Sequence, residues 1–465
     1  MPWQPTGVDF THYAHPAPLR LLPRSGPLRG GTLVTVTALN LANSSHSHRC
    51  RFGDAGWVPG TLAELGTAAD RDGPRGAART TLRCVTPLAS DLPDGAVNLS
   101  LSLERDGQTL HTYATHTLPF ELYNDSVVAA VDPASGPIAG GTALAFAGGA
   151  GLARGGAPQC RFDLLGIDHS PECAACRPTP TVTLNASFAA DADGNGGVLR
   201  CVSPAARLTR RQMLTGLGGE IPISISLNGQ QFALQPTPLK VYSVPAPALT
   251  SPACGPTFGG TAVAVVGVSF PGVEESGLAM AGGSAYRCRF GAPDAPVPPL
   301  DVHGTHSAAP QGDLVHCISP LLLANRTLAG VLPPLSSYPL FVSLNAQQYT
   351  PAAELPTFSF LDPPPLPSIV RPLEGRPNTP ITIFGAGYDN GCDYRCRFGT
   401  LGTVAASYDT ARGAIRCAVP SPAAVGVPLE LASTSLNSSA ALPMAISLNG
   451  QQFHGIKTNF SLVAG

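Results

Sequence analysis

The chain has 465 residues, room for three or four domains of ordinary size, with 28 Lys plus Arg against 30 Asp plus Glu. Only 12% of residues are charged and the net charge is −2, so the basic stripe of a nucleic-acid binder is missing. With 43% hydrophobic residues, 51 glycines and 48 prolines, it is too apolar for disorder and rich in turns, which points to many short strands.

From the N-terminus, Met1-Pro-Trp-Gln-Pro carries neither a cationic nor an apolar leader segment. Residues 8–16 read as the closing strand of a unit whose body is not in the sequence, so 1–16 is expected to be the remnant of a preceding repeat, and the chain a piece of a longer array. The turn Ser25-Gly-Pro-Leu-Arg-Gly-Gly-Thr32 follows, then the alternating segment Leu33-Val-Thr-Val-Thr37. Next come Cys50-Arg-Phe52 and Cys84-Val-Thr-Pro87, with Asp106-Gly107 at a hairpin and a closing aromatic strand from Phe120 to Tyr123.

This order recurs three more times. Cys-Arg-Phe returns at Cys160, Cys288 and Cys396, spaced by 110, 128 and 108 residues. Cys-x-x-Pro returns at Cys201, Cys317 and Cys417. The turn returns as Ser135-Gly-Pro-Ile-Ala-Gly-Gly-Thr142 and Cys254-Gly-Pro-Thr-Phe-Gly-Gly-Thr261, and the fourth copy, Glu374-Gly-Arg-Pro-Asn-Thr-Pro380, lacks Gly-Gly-Thr, which leaves its leading strand the least defined. Asn228-Gly-Gln-Gln-Phe232, Asn345-Ala-Gln-Gln-Tyr349 and Asn449-Gly-Gln-Gln-Phe453 each follow an alternating strand, and Asn-Gly there predicts a type I′ hairpin. No helical periodicity stands out and no apolar run reaches membrane-spanning length, so no direct membrane insertion is expected. Each unit of about 100–120 residues fits a seven-strand β-sandwich. Boundaries are expected at 17–125, 126–244, 245–362 and 363–465.

Taken together, the Gly-Pro-x-x-Gly-Gly-Thr turn, the Cys-x-Phe strand, the Cys-x-x-Pro strand and the Asn-Gly-Gln hairpin resemble the IPT/TIG domains, over about residues 17–465. That immunoglobulin-like family occurs in plexins, in hepatocyte-growth-factor-type receptors, in fibrocystin-like surface proteins and in some transcription factors. The resemblance implies an all-β tandem array of four immunoglobulin-like β-sandwich domains that act as binding and spacer modules outside the cell. It carries over no catalytic residue, and no cofactor is expected.

The repeated cysteines pair most simply within each copy, as Cys50–Cys84, Cys160–Cys201, Cys288–Cys317 and Cys396–Cys417. Cys173-Ala-Ala-Cys176, preceded by His169, reads as a small disulfide, with three potential ligands where a zinc site wants four. Cys254 and Cys392 are left over: free, bridging two copies, or paired outside this chain. Seven Asn-x-Ser/Thr sites, at Asn43, Asn98, Asn124, Asn185, Asn325, Asn437 and Asn459, point to a glycosylated surface and, with the cysteines, to an oxidising compartment. Asp191-Ala-Asp-Gly-Asn-Gly196 offers Asp191, Asp193 and Asn195 as weak calcium ligands, but Val202 stands where a calcium loop needs a glutamate, so an acidic turn is the simpler reading. His46, His48 and Cys50 could be read as metal ligands, but Cys50 is already claimed by the repeat, and the cluster Arg207, Arg210 and Arg211 is read as a solvated loop rather than an anion site.

The expected function is a non-catalytic extracellular or cell-surface ectodomain of adhesion or receptor type, binding a protein or glycan through loops such as 53–80, 163–199 and 291–315. An accessory, carbohydrate-associated region of a larger secreted enzyme is the alternative. The charge balance and the cysteines argue against an intracellular DNA-binding protein.

Overall fold

The computed structural model describes residues 16–463 apart from 40, 42–46, 64–78, 106–107, 125–129, 150–151, 153–154, 165–180, 191–195, 207–218, 269–282, 295–297, 310–311, 323–336, 352–354, 365–368 and 422–439. Among the described residues there is no α-helix and hence no helix long and apolar enough to cross a membrane.

The first copy has eight strands: β1 (Ala17–Leu22), β2 (Ser25–Pro27), β3 (Leu33–Leu39), β4 (Ser47–Phe52), β5 (Val58–Ala63), β6 (Arg79–Val85), β7 (Gly95–Arg105) and β8 (Gln108–Tyr123). They follow the order β1-β3-β6-β5-β4-β7-β8-β2. Alternation decides which face of each strand goes inward. In β3, Val34, Val36 and Ala38 are buried while Leu33, Thr35 and Thr37 turn outward. Two layers form because β5 changes partners along its length: His48–Cys50 of β4 pair with Val58–Gly60, and Gly60–Ala63 then pair with Thr81–Cys84 of β6. The layers enclose one core with Val36, Leu82, Phe52, Leu101 and Phe120 at its centre.

In the second and fourth copies the layers are separate sheets. The second copy has two four-stranded sheets, containing Ala143–Gly149 and Gln159–Phe162, and a three-stranded one of Ser135–Pro137, Leu239–Tyr242 and Gly219–Ile221; the fourth has two sheets, built on Pro380–Phe384 and Arg395–Phe398. The third copy repeats the eight-strand order of the first. There Leu300–His303 pair in one layer and Gly304–Ala309 in the other, opposite Gly312–Cys317. Much of 291–315, expected to be a loop, is therefore a strand pair, and parts of 53–80 and 163–199 are strands as well. The protein is an all-β tandem array of immunoglobulin-like β-sandwiches.

The chain groups into two compact units. The first holds residues 1–134, 138–209 and 219–241; the second holds Ser135–Pro137, 210–218 and 242–465.

The fourth leading strand does form: Pro380–Phe384 pairs with Ile369–Arg371 and Ala414–Ala418. Asn378 takes the place of the second turn glycine, at φ 67° where Gly31 has 82°, and donates its N–H to Val419 O as Gly31 does to Thr86 O. Asparagine is among the few residues that tolerate this left-handed conformation.

Candidate functional site

The Gly-Pro-x-x-Gly-Gly-Thr segment does more than reverse the chain. Ser25–Pro27 is a buried strand running parallel to Glu121–Tyr123, so the motif starts by sealing the sandwich edge. The turn proper follows. Gly30 has φ 74°, and a side chain there would meet the carbonyl of Pro87. Thr32 N donates to Thr86 Oγ1 at 2.9 Å, Thr142 N to Ser203 Oγ at 3.0 Å and Thr261 N to Ser319 Oγ at 3.0 Å. The hydroxyl of Cys-x-Ser/Thr-Pro thus caps the Gly-Gly-Thr turn. Both partners change together in the fourth copy, where Val419 has no hydroxyl and Thr379 N turns to Arg376 O.

The Asn-Gly segments differ from the expected hairpin. Strand pairing runs through Ser224↔Leu234 and Ile225↔Ala233, leaving a loop wider than a two-residue I′ turn, and in the fourth copy it resumes at Ser447↔Phe453. The reason is the asparagine side chain. Asn228 Oδ1 accepts from the N–H groups of Gln230 (3.0 Å) and Gln231 (3.2 Å), an Asx turn that holds the loop open. Its amide nitrogen then points into the preceding copy. Asn228 Nδ2 donates to Ser25 O and to Thr32 Oγ1, both at 3.2 Å, and Thr32 Oγ1 donates to Gln231 Oε1 at 3.0 Å. Gln231 Nε2 donates to Gly31 O at 2.8 Å. The Gln230 amide acts as a substitute strand residue: its Oε1 accepts from Leu33 N at 2.8 Å and its Nε2 donates to Leu33 O at 2.9 Å.

Within the second unit the same lock recurs. Asn449 Nδ2 donates to Cys254 O (3.3 Å) and Thr261 Oγ1 (3.2 Å), Gln452 Nε2 to Gly260 O (2.9 Å), and Gln451 exchanges two bonds with the backbone of Ala262 at 2.8 and 2.9 Å. Asn345, in that unit too, donates to Ser135 O at 3.3 Å. Asn228 and Asn449 are 4% and 3% exposed, so the asparagine bonds are shielded from competing water, while the glutamine bonds to the backbone lie at the surface. Apolar contact backs them: Tyr123, from the first copy's closing strand, belongs to the second copy's core, and Leu361 to the fourth's.

The aromatic residue that ends the motif folds back onto its own copy. The guanidinium carbon of Arg161 lies 4.3 Å from the Phe232 ring centre, that of Arg289 3.8 Å from Tyr349 and that of Arg397 3.6 Å from Phe453. The first copy lacks the motif, and Arg51 stacks over Trp57 instead, at 5.2 Å. Arg289 also holds Asp301 in a two-pronged bond (2.7 and 2.8 Å), which keeps the Asp301 carboxyl below its ordinary pKa and raises that of Arg289. Burial, ahead of the nearby Asp301 charge, raises the Tyr349 phenol.

The structure joins Cys50 to Cys84, Cys160 to Cys201, Cys288 to Cys317 and Cys396 to Cys417, each link running from the Cys-Arg-Phe strand to the strand that leads into the proline, across the two layers. It also joins Cys254 to Cys392, from the third copy's turn to the fourth copy. Spacing alone could not find that pair, because neither cysteine belongs to the recurring Cys-Arg-Phe and Cys-x-x-Pro segments. Asn98, Asn124, Asn185 and Asn459 are exposed. His48 is buried, its Nε2 3.0 Å from Leu41 O. Asn43, His46, His169, Cys173, Cys176, Asp191, Asp193, Asn195, Arg207, Arg210, Arg211, Asn325 and Asn437 lie outside the described residues.

No family model matches the chain and no curated protein sequence matches it. Among solved structures, it is similar to the full extracellular region of plexin A4, with 14% identity and a TM-score of 0.34 over 96% of this chain and 37% of that one. It thus spans little more than a third of that plexin region. The FN1–FN3 domains of chicken CNTN1 match with 10% identity and a TM-score of 0.24, over 74% of this chain and 98% of that one. A marsupial T cell receptor matches with 10% identity and a TM-score of 0.21, over 71% and 96%.

Proposed function

We propose that the chain is a non-catalytic binding ectodomain of adhesion or receptor type, extracellular or at a cell surface, built from four IPT/TIG modules at 17–125, 126–244, 245–362 and 363–465. One observation carries the reading: the residues that recur from copy to copy are spent on a covalently stapled scaffold and on locking one copy to the next. A stiff scaffold stapled by buried disulfides suits an oxidising environment and holds variable segments in fixed positions for recognition. The partner is a protein or a glycan. Glycans on the exposed Asn98, Asn124, Asn185 and Asn459 mark surface that stays free of it.

The test is to secrete the chain from a eukaryotic host, array it on beads, and measure binding to intact cells and to a glycan panel. Saturable binding, lost when the chain is heat-unfolded and unaccompanied by any change in the partner, is expected. Turnover of the bound partner, or free thiols at the eight core cysteines of the secreted protein, would overturn the proposal.

A further inference from the structure

We propose that the Cys254–Cys392 disulfide is a redox latch, a solvent-open thiol–disulfide exchange site through which a dithiol reductant loosens the lock between the third and fourth copies while the four core disulfides stay closed. It goes beyond the proposed binding role and does not depend on what the array binds.

Its setting differs from that of the others. All eight core cysteines are at most 9% exposed, and so is Cys254 at 1%, but Cys392 is exposed. Cys392 also borders an open groove of about 430 Å³ whose walls include Thr250, Ser251, Ala253, Asp393 and Gln451. An incoming thiolate can therefore reach this sulfur without the sandwich opening, and access is one of the factors that set exchange rates.

The repeats show what the bond replaces. Cys254 occupies the place of Ser25 and Ser135 in the earlier turns. Cys392 occupies the place of Ser284: the N–H groups of Ser284 and Ala285 both donate to Leu344 O, as those of Cys392 and Asp393 do to Leu448 O. At the earlier position Ser135 Oγ donates to Ser284 Oγ at 2.9 Å. A pair of cysteines thus stands where the preceding contact has a pair of hydroxyls; at the first contact Ser25 Oγ accepts from Gly156 N at 3.1 Å instead. The Asn449, Gln451 and Gln452 bonds are the same as those of Asn228, Gln230 and Gln231, which form with no disulfide beside them. The covalent bond is an addition to a contact that already closes, and opening it loosens the lock without unfolding either sandwich.

The exchange balances as follows. A thiolate of the dithiol attacks Cys392 Sγ and forms a mixed disulfide. The Cys254–Cys392 bond breaks, and its electron pair leaves on Cys254 Sγ, which takes a proton. The second thiol of the reductant, as its thiolate, then attacks the reductant's own sulfur in the mixed disulfide, which releases Cys392 as a thiol. The protein gains two electrons and two protons, and the dithiol becomes a cyclic disulfide.

The test uses the whole secreted chain in dithiothreitol buffers of graded reduced-to-oxidised ratio, with thiols trapped by N-ethylmaleimide and mapped by mass spectrometry. Cys254 and Cys392 are expected to open at a ratio at least about tenfold lower than any core pair. Amide hydrogen exchange over 449–452 should then speed up severalfold while Val36, Ile225, Val265 and Ile415 stay protected. A double variant, Cys254→Ser with Cys392→Ser, restores the hydroxyl pair. It should fold, exchange over 449–452 as the reduced wild-type chain does, and ignore the dithiol. Core cysteines labelled together with or before Cys254 and Cys392, an unchanged rate over 449–452 on reduction, or a dithiol response in the double variant would each overturn the latch.

Discussion

At the scale of single residues, Asn228 joins two jobs, holding its own loop open and bonding the preceding turn. Asn228→Asp keeps the oxygen that accepts from Gln230 and Gln231 but replaces the donor facing Ser25 O and Thr32 Oγ1. Asn228→Ala loses both functions and leaves buried partners unsatisfied, a change that costs about 1–3 kcal/mol per group. Denaturant titration should find both variants destabilised. Ala346 fills the Gly229 and Gly450 position with φ 60°, a region that costs a residue with a Cβ about 1–2 kcal/mol. Ala346→Gly is therefore expected to stabilise the chain, by somewhat less than that because glycine gains more freedom on unfolding. An unchanged or lower denaturation midpoint would contradict this. Asp301 supplies the pH dependence. Its folded pKa lies below its unfolded one, so its pair with Arg289 adds stability above the unfolded value, near pH 4, and loses it as pH falls through the folded value. Asp301→Asn should remove that part of the acid limb and leave the neutral-pH profile nearly parallel.

At the scale of elements, strand positions and core faces were legible because alternation is a local signal: Val34, Val36 and Ala38 point inward as Leu33-Val-Thr-Val-Thr reads. The motif residues were legible as a repeat but not in their roles. Asn-Gly between alternating segments is ordinarily the mark of a tight turn, and nothing local says that Asn228 bonds residues about 200 positions earlier in the chain. The hydroxyl of Thr86 and the Gly-Gly-Thr turn whose Thr32 N–H it accepts stand more than fifty residues apart, so their partnership shows only in three dimensions. Their joint loss in the fourth copy was visible all along as two unrelated departures. The stack of Arg397 on Phe453 links two other recurring residues, and such contacts contribute about 0.5–1 kcal/mol when partly exposed. Arg397→Met keeps an apolar stem and removes the charge, so a stability loss of about that size is expected by thermal unfolding. No loss would leave the recurrence of this arginine–aromatic pair across the copies without an energetic role.

For the molecule as a whole, the lock follows a consistent direction: the Asn-x-Gln-Gln segment of one copy holds the turn of the copy before it. The first copy has Asp106-Gly107 in place of that segment, and there Arg105 pairs with Gln108. The fourth copy has lost Gly-Gly-Thr. The motif is thus intact where it is used within this chain, which is what a contact role requires and a purely local turn role does not. The central claim is that these side chains couple neighbouring copies energetically. It is tested most directly by a double-mutant cycle in the full chain with Thr32→Val, Gln231→Ala and both together, each measured by chemical denaturation of the first unit. The bond from Thr32 Oγ1 to Gln231 Oε1 spans about 200 residues of sequence, and partners in one hydrogen-bond network couple by about 0.5–3 kcal/mol. The expected result is a coupling energy of about 1 kcal/mol; additivity within about 0.3 kcal/mol would contradict the lock.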